Sequence, residues 1–222
     1  MATTPSAPRI RTRNRRGEGD RLRDELINAA TQVIAGTGDA NSLSLRGLAR
    51  RLGIAAPSIY RHFRDVDELK LAVVERAFAE FVAERDRARG RIEDPADALR
   101  AGCLAYCRFA VTHPGPYRFM FSHYSPARGR QSPIGAAALE ALAASIRRCQ
   151  ESGASSAPED ARQLAANVWA ALHGIVLLHL NLTEFDWPDS LEERIDRTVE
   201  RLVALAPGRR GDERQRAKEQ RS

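Results

Sequence analysis

The chain has 222 residues, with 35 Lys+Arg against 29 Asp+Glu, a formal charge of +6 at pH 7 and three cysteines. That length suits one large domain or two small ones, with enough chain for a buried core. Cys103, Cys107 and Cys149 are too few for a disulfide framework, no apolar run approaches the roughly 18 residues of a bilayer span, and the arginine-rich start lacks the apolar stretch of a secretory signal; the expected compartment is the cytoplasm, with no membrane partner.

The charge is unevenly placed. Residues 1–64 carry 12 Arg and 5 acids, residues 65–206 carry 17 basic and 21 acidic groups, and residues 207–222 carry 6 basic and 3 acidic groups. A basic first third on an acidic body points to a polyanion at one end. Arginine is favoured along the whole chain, where Lys70 and Lys218 are the only lysines. Charge alone therefore also fits a solvated arginine-rich surface.

In chain order, residues 1–19 hold Pro, Ser, Thr, Gly and five arginines with hardly an apolar residue, and read as a disordered basic arm. Its "RIRTRNRR" (Arg9–Arg16) is the composition of an arm that enters a minor groove, or of a solubilising tail. Residues 21–36 place Leu22, Leu26, Ala29, Ala30 and Val33 at helical spacing, stopped by Gly36 and Gly38. Ser44 is an expected N-cap, followed by Leu45, Leu48, Ala49 and Leu52 on one face, with Gly53 as the break. A helix over 56–63 then starts with Pro57 in its first turn. A long helix is expected over 65–89, with Leu69, Ala72, Val73, Arg76, Ala77 and Phe81 on one face. Further helices are expected from Pro95 to about Thr112, in the aromatic segment of His113–Phe121, and over roughly 134–151, 158–182 and 189–205. A loop is expected at "YSPARGRQSP", and a second basic tail at 207–222. Sustained period-2 alternation is absent, so the fold class is all-α, with about nine helices and no sheet.

Two short helices joined by a tight glycine turn cross steeply, and the second stands out as a ridge about as wide as the major groove. Ile59 and Phe63 fall four apart and should be buried. Pro57, Ser58, Tyr60, Arg61 and His62 fall elsewhere on that helix. Small residues allow close approach to base edges, while Ser58 and Tyr60 can donate to phosphates. Arg46 lies in the first turn of the preceding helix, where a bidentate contact to guanine would discriminate by roughly 1–3 kcal/mol. Arg50 and Arg51 lie on its outer side. An ordinary helical hairpin is the alternative reading.

From "LRDELINAATQVIAGTG" through "SLSLRGLARRLGIAAPSIYRHFRDVDELKLAVVE", helix, turn and aromatic by register, the chain resembles the tetracycline-repressor (TetR) family of bacterial transcription regulators. The resemblance implies a homodimer on a palindromic double-stranded DNA operator, with one three-helix head per half-site. It also implies a larger helical body that binds a small molecule and forms the dimer. The domains then read as the arm at 1–19, a helix-turn-helix head at 20–80, a ligand-binding and dimerisation body at 81–206, and the tail at 207–222. Carried over by position, Ser44 and Arg46 fall at the start of the first helix of the motif. Ala56, Pro57, Ser58, Tyr60, Arg61 and His62 match the recognition helix, with Tyr60 on phosphate. Two positions depart. Val66 stands where many members place a phosphate-touching lysine, a role that Arg64 would have to fill, and Ala55 stands where a serine cap is common. "WAALHGIVLLHL" (Trp169–Leu180) resembles the Trp-His-Gly subtype of body, through Trp169, His173 and Gly174.

In the body, Trp169 and His173 share a helix face and, with Tyr106, Phe109, Phe119, Met120 and Phe121, are the candidates to line an apolar effector cavity; core packing is the alternative for each. Few charges fall on the inner faces, which favours a mostly apolar effector. Leu164, Val168, Leu172 and Val176 on one helix, with Leu191, Ile195, Val199 and Leu202 on the next, are the candidate dimer stripe or an internal one. Cys103 and Cys107 lie one helical turn apart but lack a third ligand, so neither metal nor cofactor is expected. The chain contains no HExxH, glycine-rich phosphate loop or GxSxG, which argues against an enzyme. The expected function is a sequence-specific regulator, a repressor released by its effector; the second reading is a nonspecific architectural DNA binder using its arginine tails.

Overall fold

The computed structural model describes residues 19–37, 42–122 and 133–206. The residues before Gly19 in the expected arm, the "YSPARGRQS" part of the expected loop and the expected tail lie outside the described residues. Among the described residues nine helices follow in chain order: α1 (Gly19–Thr37), α2 (Leu45–Leu52), α3 (Ala56–Ile59), α4 (Val66–Arg89), α5 (Pro95–Thr112), α6 (Pro114–Ser122), α7 (Pro133–Glu151), α8 (Ala161–Asn181) and α9 (Leu191–Leu202). Among the described residues the only bridge is an isolated one between Ser155 and Leu205.

The chain divides into two compact units. Of the described residues, the first holds those up to Phe78 together with Gly115–Ser122; the second holds Ala79–Pro114 and those from Pro133 onward. The first unit is built on local signals. Ser44 is extended (φ −138, ψ 142) and its Oγ accepts the Gly47 N–H at 3.1 Å, which starts α2. Gly53 ends α2 in the left-handed region at φ 63, and the Ile54 N–H reaches the Ala49 carbonyl at 3.0 Å. Asp65 Oδ1 accepts the Glu68 N–H at 2.8 Å and starts α4.

Leu22, Leu26, Ile27, Leu48, Ile59, Phe63, Leu69 and Val73 are buried in one core. Phe119 of α6 belongs to that same core, although the sequence reading placed it with the effector candidates of the body. The approach of α6 depends on Gly115, where an added Cβ would lie 2.6 Å from the Ala35 Cα. Arg76 ties α4 to α1, donating to Asn28 Oδ1 at 3.0 Å and pairing with Asp24. The arginine expected on the apolar face of the long helix is thus a polar clamp between two helices.

The second unit packs α5, α7, α8 and α9 with the latter part of α4. Asp94, Asp160 and Ser190 cap α5, α8 and α9, and Glu193 completes a capping box on the last. Leu99, Phe109, Ile146, Leu164, Val168, Leu172, Val176, Ile195 and Val199 are buried. The helix expected to run to 205 stops at Leu202 because the chain turns away to meet another segment. Ser155 Oγ donates to the Val203 carbonyl at 2.6 Å, the Ser156 N–H donates to the Ala204 carbonyl at 3.2 Å, and Ala204 takes φ 45. Those contacts hold a backbone conformation that a non-glycine residue rarely adopts.

One expectation about membranes needs correction. α8 has 21 residues and a mean hydropathy of 1.4 over its most apolar stretch, which is long and apolar enough to cross a bilayer by length and composition. The polar residues Asn167, His173 and His179 break the run without lowering its average below that mark. In this fold its Leu164, Val168, Leu172 and Val176 side chains are buried in the second unit.

Candidate functional site

The first unit presents the ridge that the sequence predicts, in a shorter form. α3 closes after Ile59 rather than at Phe63. The His62 N–H bonds back to the Ile59 carbonyl at 2.8 Å and the Phe63 N–H to the same oxygen at 3.0 Å, so residues 60–62 form a tightened last turn. The side chains still separate as the spacing requires. Ile59 and Phe63 are buried, while Pro57 and Arg61 are exposed and Tyr60 is 50% exposed. Ala56, Ser58 and His62 are half-buried at the edges of the ridge. Ala55 at the start of α3 makes no side-chain capping bond, in keeping with its missing hydroxyl.

On α2, Arg46, Arg50 and Arg51 are all exposed. Arg51 Nη2 lies 3.5 Å from Gln32 Oε1. The Ser44 hydroxyl is engaged as the α2 cap, so its part at the site is to hold the first turn that carries Arg46. Arg64 is exposed and held by Glu68: its backbone N–H and its Nε reach Glu68 Oε2 at 2.8 and 3.2 Å. These two bonds, first from the backbone and then from the side chain, push the Glu68 carboxyl below its usual range. Arg64 would have to exchange that pair to reach a phosphate. Sequence reasoning missed Arg23, whose guanidinium lies 5.1 Å over the Phe63 ring. It comes from α1, forty positions away, and spacing carries no signal for such a pairing. It adds an exposed cation beside the ridge.

The body candidates do not form one set. Phe119 and Met120 are buried in the first unit, while Tyr106, Phe109, Trp169 and His173 belong to the second. There, Phe81 packs edge-on against Tyr106 at 5.6 Å and tilted against Phe109 at 5.8 Å. The Tyr106 hydroxyl lies 3.2 Å from His173 Nδ1, and Trp169 is half-buried on the same helix as His173. Burial holds the His173 pKa below its ordinary value, which keeps the ring neutral at pH 7. The result is a neutral hydrogen-bonding pair bordered by aromatic rings.

This has a pH consequence. The unfolded chain takes up the His173 proton at a higher pH than the folded chain does. Stability is therefore full above about pH 6.5 and declines as pH falls through that value, by at most about 1.4 kcal/mol per pH unit. Thermal melts on the acid side should show this decline, and His173→Asn should lose that part of it. An equal acid slope in the variant would assign the effect to other groups.

All eight candidate dimer residues lie in the second unit. Leu164, Val168, Leu172, Val176, Ile195 and Val199 are buried within the subunit, and Leu191 and Leu202 are half-buried. Of the two readings of the stripe, burial within the chain is the one seen for these six side chains: the most apolar face of each helix packs inside its own unit. The exposed residues of α8 are instead Arg162, Gln163, Ala166, Asn167, Ala170, Leu178 and Asn181, and beyond the helix Leu182 and Phe185 are exposed. The three cysteines are buried. Burial pushes the Cys103 thiol up to about 12 and raises those of Cys107 and Cys149, so none offers a thiolate near neutral pH. No group of three or more metal-ligating side chains occurs among the described residues.

Known proteins match the chain in both units. Residues 26–73 match the family described as bacterial regulatory proteins, tetR family, and residues 99–202 match the tetracyclin repressor-like C-terminal domain. Among solved structures, a Rhodococcus sp. RHA1 protein of unknown function is 26% identical with a TM-score of 0.72, over 83% of this chain and 95% of that one. A TetR-family transcriptional regulator from Pectobacterium atrosepticum is 23% identical with a TM-score of 0.62, over 88% and 97% of the two chains. RolR, solved in complex with its ligand resorcinol, is 18% identical with a TM-score of 0.62, over 86% and 91%. With the buried-and-exposed split of the α2–α3 ridge and the separate helical unit behind it, these matches place the chain in the TetR family of DNA-binding transcriptional regulators.

Proposed function

We propose that the chain is a homodimeric repressor that reads a palindromic operator and is released by a small, mostly apolar effector. The observation that carries this reading is the ridge itself. Ile59 and Phe63 root it in the core while Pro57, Tyr60 and Arg61 face outward, and Arg46 is exposed on the preceding helix. In the proposal Arg46 contacts a base edge, Tyr60 donates to a phosphate, and Ala56, Pro57 and Ser58 let the backbone come close to the groove. Arg61, His62 and Arg64 supply further polar and basic contacts.

The effector site is centred on Tyr106 and His173, with Phe81, Phe109 and Trp169 around them. A neutral hydrogen-bonding pair among aromatic rings suits a small ligand with one or two polar groups. The resorcinol bound by RolR is such a molecule in a similarly folded regulator. The body is expected to be of the Trp-His-Gly subtype, in which Trp169, His173 and Gly174 lie on one helix.

A second copy would join through the outward face of α8. Ala166 and Ala170 permit close helix approach there, and Leu178, Leu182 and Phe185 supply apolar area. Effector binding would then act through α4, a single helix that contributes residues to both units. A small rotation of it would change the spacing of the two heads and put one half-site out of phase. Such a protein works in the cytoplasm.

Selection of bound sites from random duplex DNA tests this, paired with sedimentation of the protein alone and on the selected duplex. The expected result is a two-fold symmetric site bound by two chains. Deleting residues 1–18 should weaken binding but preserve the selected sequence. Loss of all binding on that deletion, with no sequence enriched, would favour the architectural reading instead.

A further inference from the structure

Away from the Tyr106–His173 pair, the second unit has an open cleft of about 450 Å³ where the end of α4, the start of α5 and the last turns of α7 converge. Asp86, Arg89, Ile92, Glu93, Pro95 and Arg148 line it. Arg89 is half-buried, and among the described residues its guanidinium makes no hydrogen bond or ion pair. Burial, then Arg148, then Arg85 lower its pKa, and the nearby Asp86 carboxylate only partly offsets them. Arg85 is already held by Asp86, through Nε at 2.9 Å and Nη2 at 2.8 Å. Arg148 donates from Nη2 to Ser145 Oγ at 3.1 Å and also lines the cleft.

The position of Arg89 is built into the helix opposite. Gly102 lies inside α5, where glycine costs roughly 1 kcal/mol relative to alanine. The nearest atoms to a Cβ added there are arginine stems: Arg89 Cδ at 3.3 Å, Arg89 Cγ at 3.7 Å and Arg85 Cγ at 3.8 Å. The missing side chain leaves room for the two arginines to lie against α5. Arg89 and Arg148 also stand in the last turns of α4 and α7, where cations oppose the helix dipole. That accounts for a basic residue at each end, but not for bringing a guanidinium that makes no hydrogen bond or ion pair among the described residues into a half-buried position beside two others.

We propose that this cleft binds the carboxylate of a small organic monoanion, with Arg89 and Arg148 holding the carboxylate and Ile92 and Pro95 lying along its apolar part. A single negative charge fits the count. Arg89 and Arg148 share the lining with Asp86 and Glu93, and Asp86 is already engaged by Arg85 from outside it, so the site has room for one anionic group, while a phosphate dianion would leave it in excess. The planar guanidinium fork suits a carboxylate geometrically.

The test is isothermal titration of the full chain with benzoate, with benzamide as its neutral counterpart and with inorganic phosphate, at constant ionic strength. Benzoate should bind one per chain, with benzamide and phosphate each weaker by about tenfold or more. Arg89→Gln and Arg148→Gln should each weaken benzoate by about tenfold or more. Arg89→Gln should melt no lower than wild type, since it removes a half-buried charge that makes no hydrogen bond or ion pair among the described residues; if that variant fails to fold, the exposed Arg148→Gln carries the same test. Tyr106→Phe should leave benzoate binding unchanged. Binding lost in Tyr106→Phe but kept in Arg89→Gln would place benzoate in the effector site and overturn the proposal. So would equal affinity for benzamide, tighter binding of phosphate, or no benzoate binding at all. None of these outcomes depends on operator binding, so the repressor reading stands or falls separately.

Discussion

Phe63→Ala is expected to destabilise the first unit by about 3–5 kcal/mol and to abolish operator binding at growth temperature. Phe63 is 1% exposed and sits in the same core as Leu26, Ile59, Leu69 and Val73. It is the residue that turns the chain from the ridge into α4, with its N–H bound to the Ile59 carbonyl and Arg23 stacked over its ring. Truncation leaves a cavity that α3, one turn long, is too short to fill by moving. A small helical unit has only a few kcal/mol of stability in total, so a loss of this size unfolds it. Chemical denaturation followed by circular dichroism, with duplex binding read by fluorescence anisotropy, checks both halves. A loss below about 1 kcal/mol would mean that the ring is peripheral to the core.

Arg46→Ala should weaken a symmetric operator by about 2–6 kcal/mol in the dimer, because each half-site loses a bidentate contact worth about 1–3 kcal/mol. That corresponds to a fall of roughly thirtyfold to twenty-thousandfold in affinity. The substitution should cost little stability, since Arg46 is exposed on α2 and the cap that starts the helix is made by Ser44 and Gly47. It should also relax the preference at one base per half-site. Tyr60→Phe, by contrast, removes a phosphate donor and should weaken all sequences alike. Anisotropy titrations on the selected operator and on a scrambled duplex separate the two patterns. A uniform loss for Arg46→Ala would make it a phosphate contact, and wild-type affinity would remove it from the interface.

Most of the head was legible because its signals are local. A serine three residues before its capped N–H, a glycine at φ 63 and apolar residues at helical spacing each act within one turn. The ridge followed once Ile59 and Phe63 were taken as buried. The body was less legible. Its helices could be found, but α8 is apolar on much of its circumference, and periodicity does not say which apolar stripe its own subunit takes. The Tyr106–His173 pair spans two helices far apart in the chain, and the spacing within either helix says nothing of it. Phe119 read as a pocket aromatic because it follows a turn in the body's sequence, yet it packs into the core that Leu26 and Phe63 occupy.

The amino-acid order by itself thus determined the all-α class, most helix boundaries, the basic first third and the exposed face of the ridge, all consequences of interactions between near neighbours. Tertiary structure decided the rest. It ended α9 at Leu202, where Ser155 takes the Val203 carbonyl, and it turned Leu164, Val168, Leu172 and Val176 inward. It brought α6 to the first unit through the space that Gly115 leaves at Ala35, and it set Arg89 beside Arg148 with no hydrogen bond or ion pair of its own among the described residues. Each of these depends on which distant surface wins the competition for burial, a free-energy difference between whole packings that no local run of residues encodes.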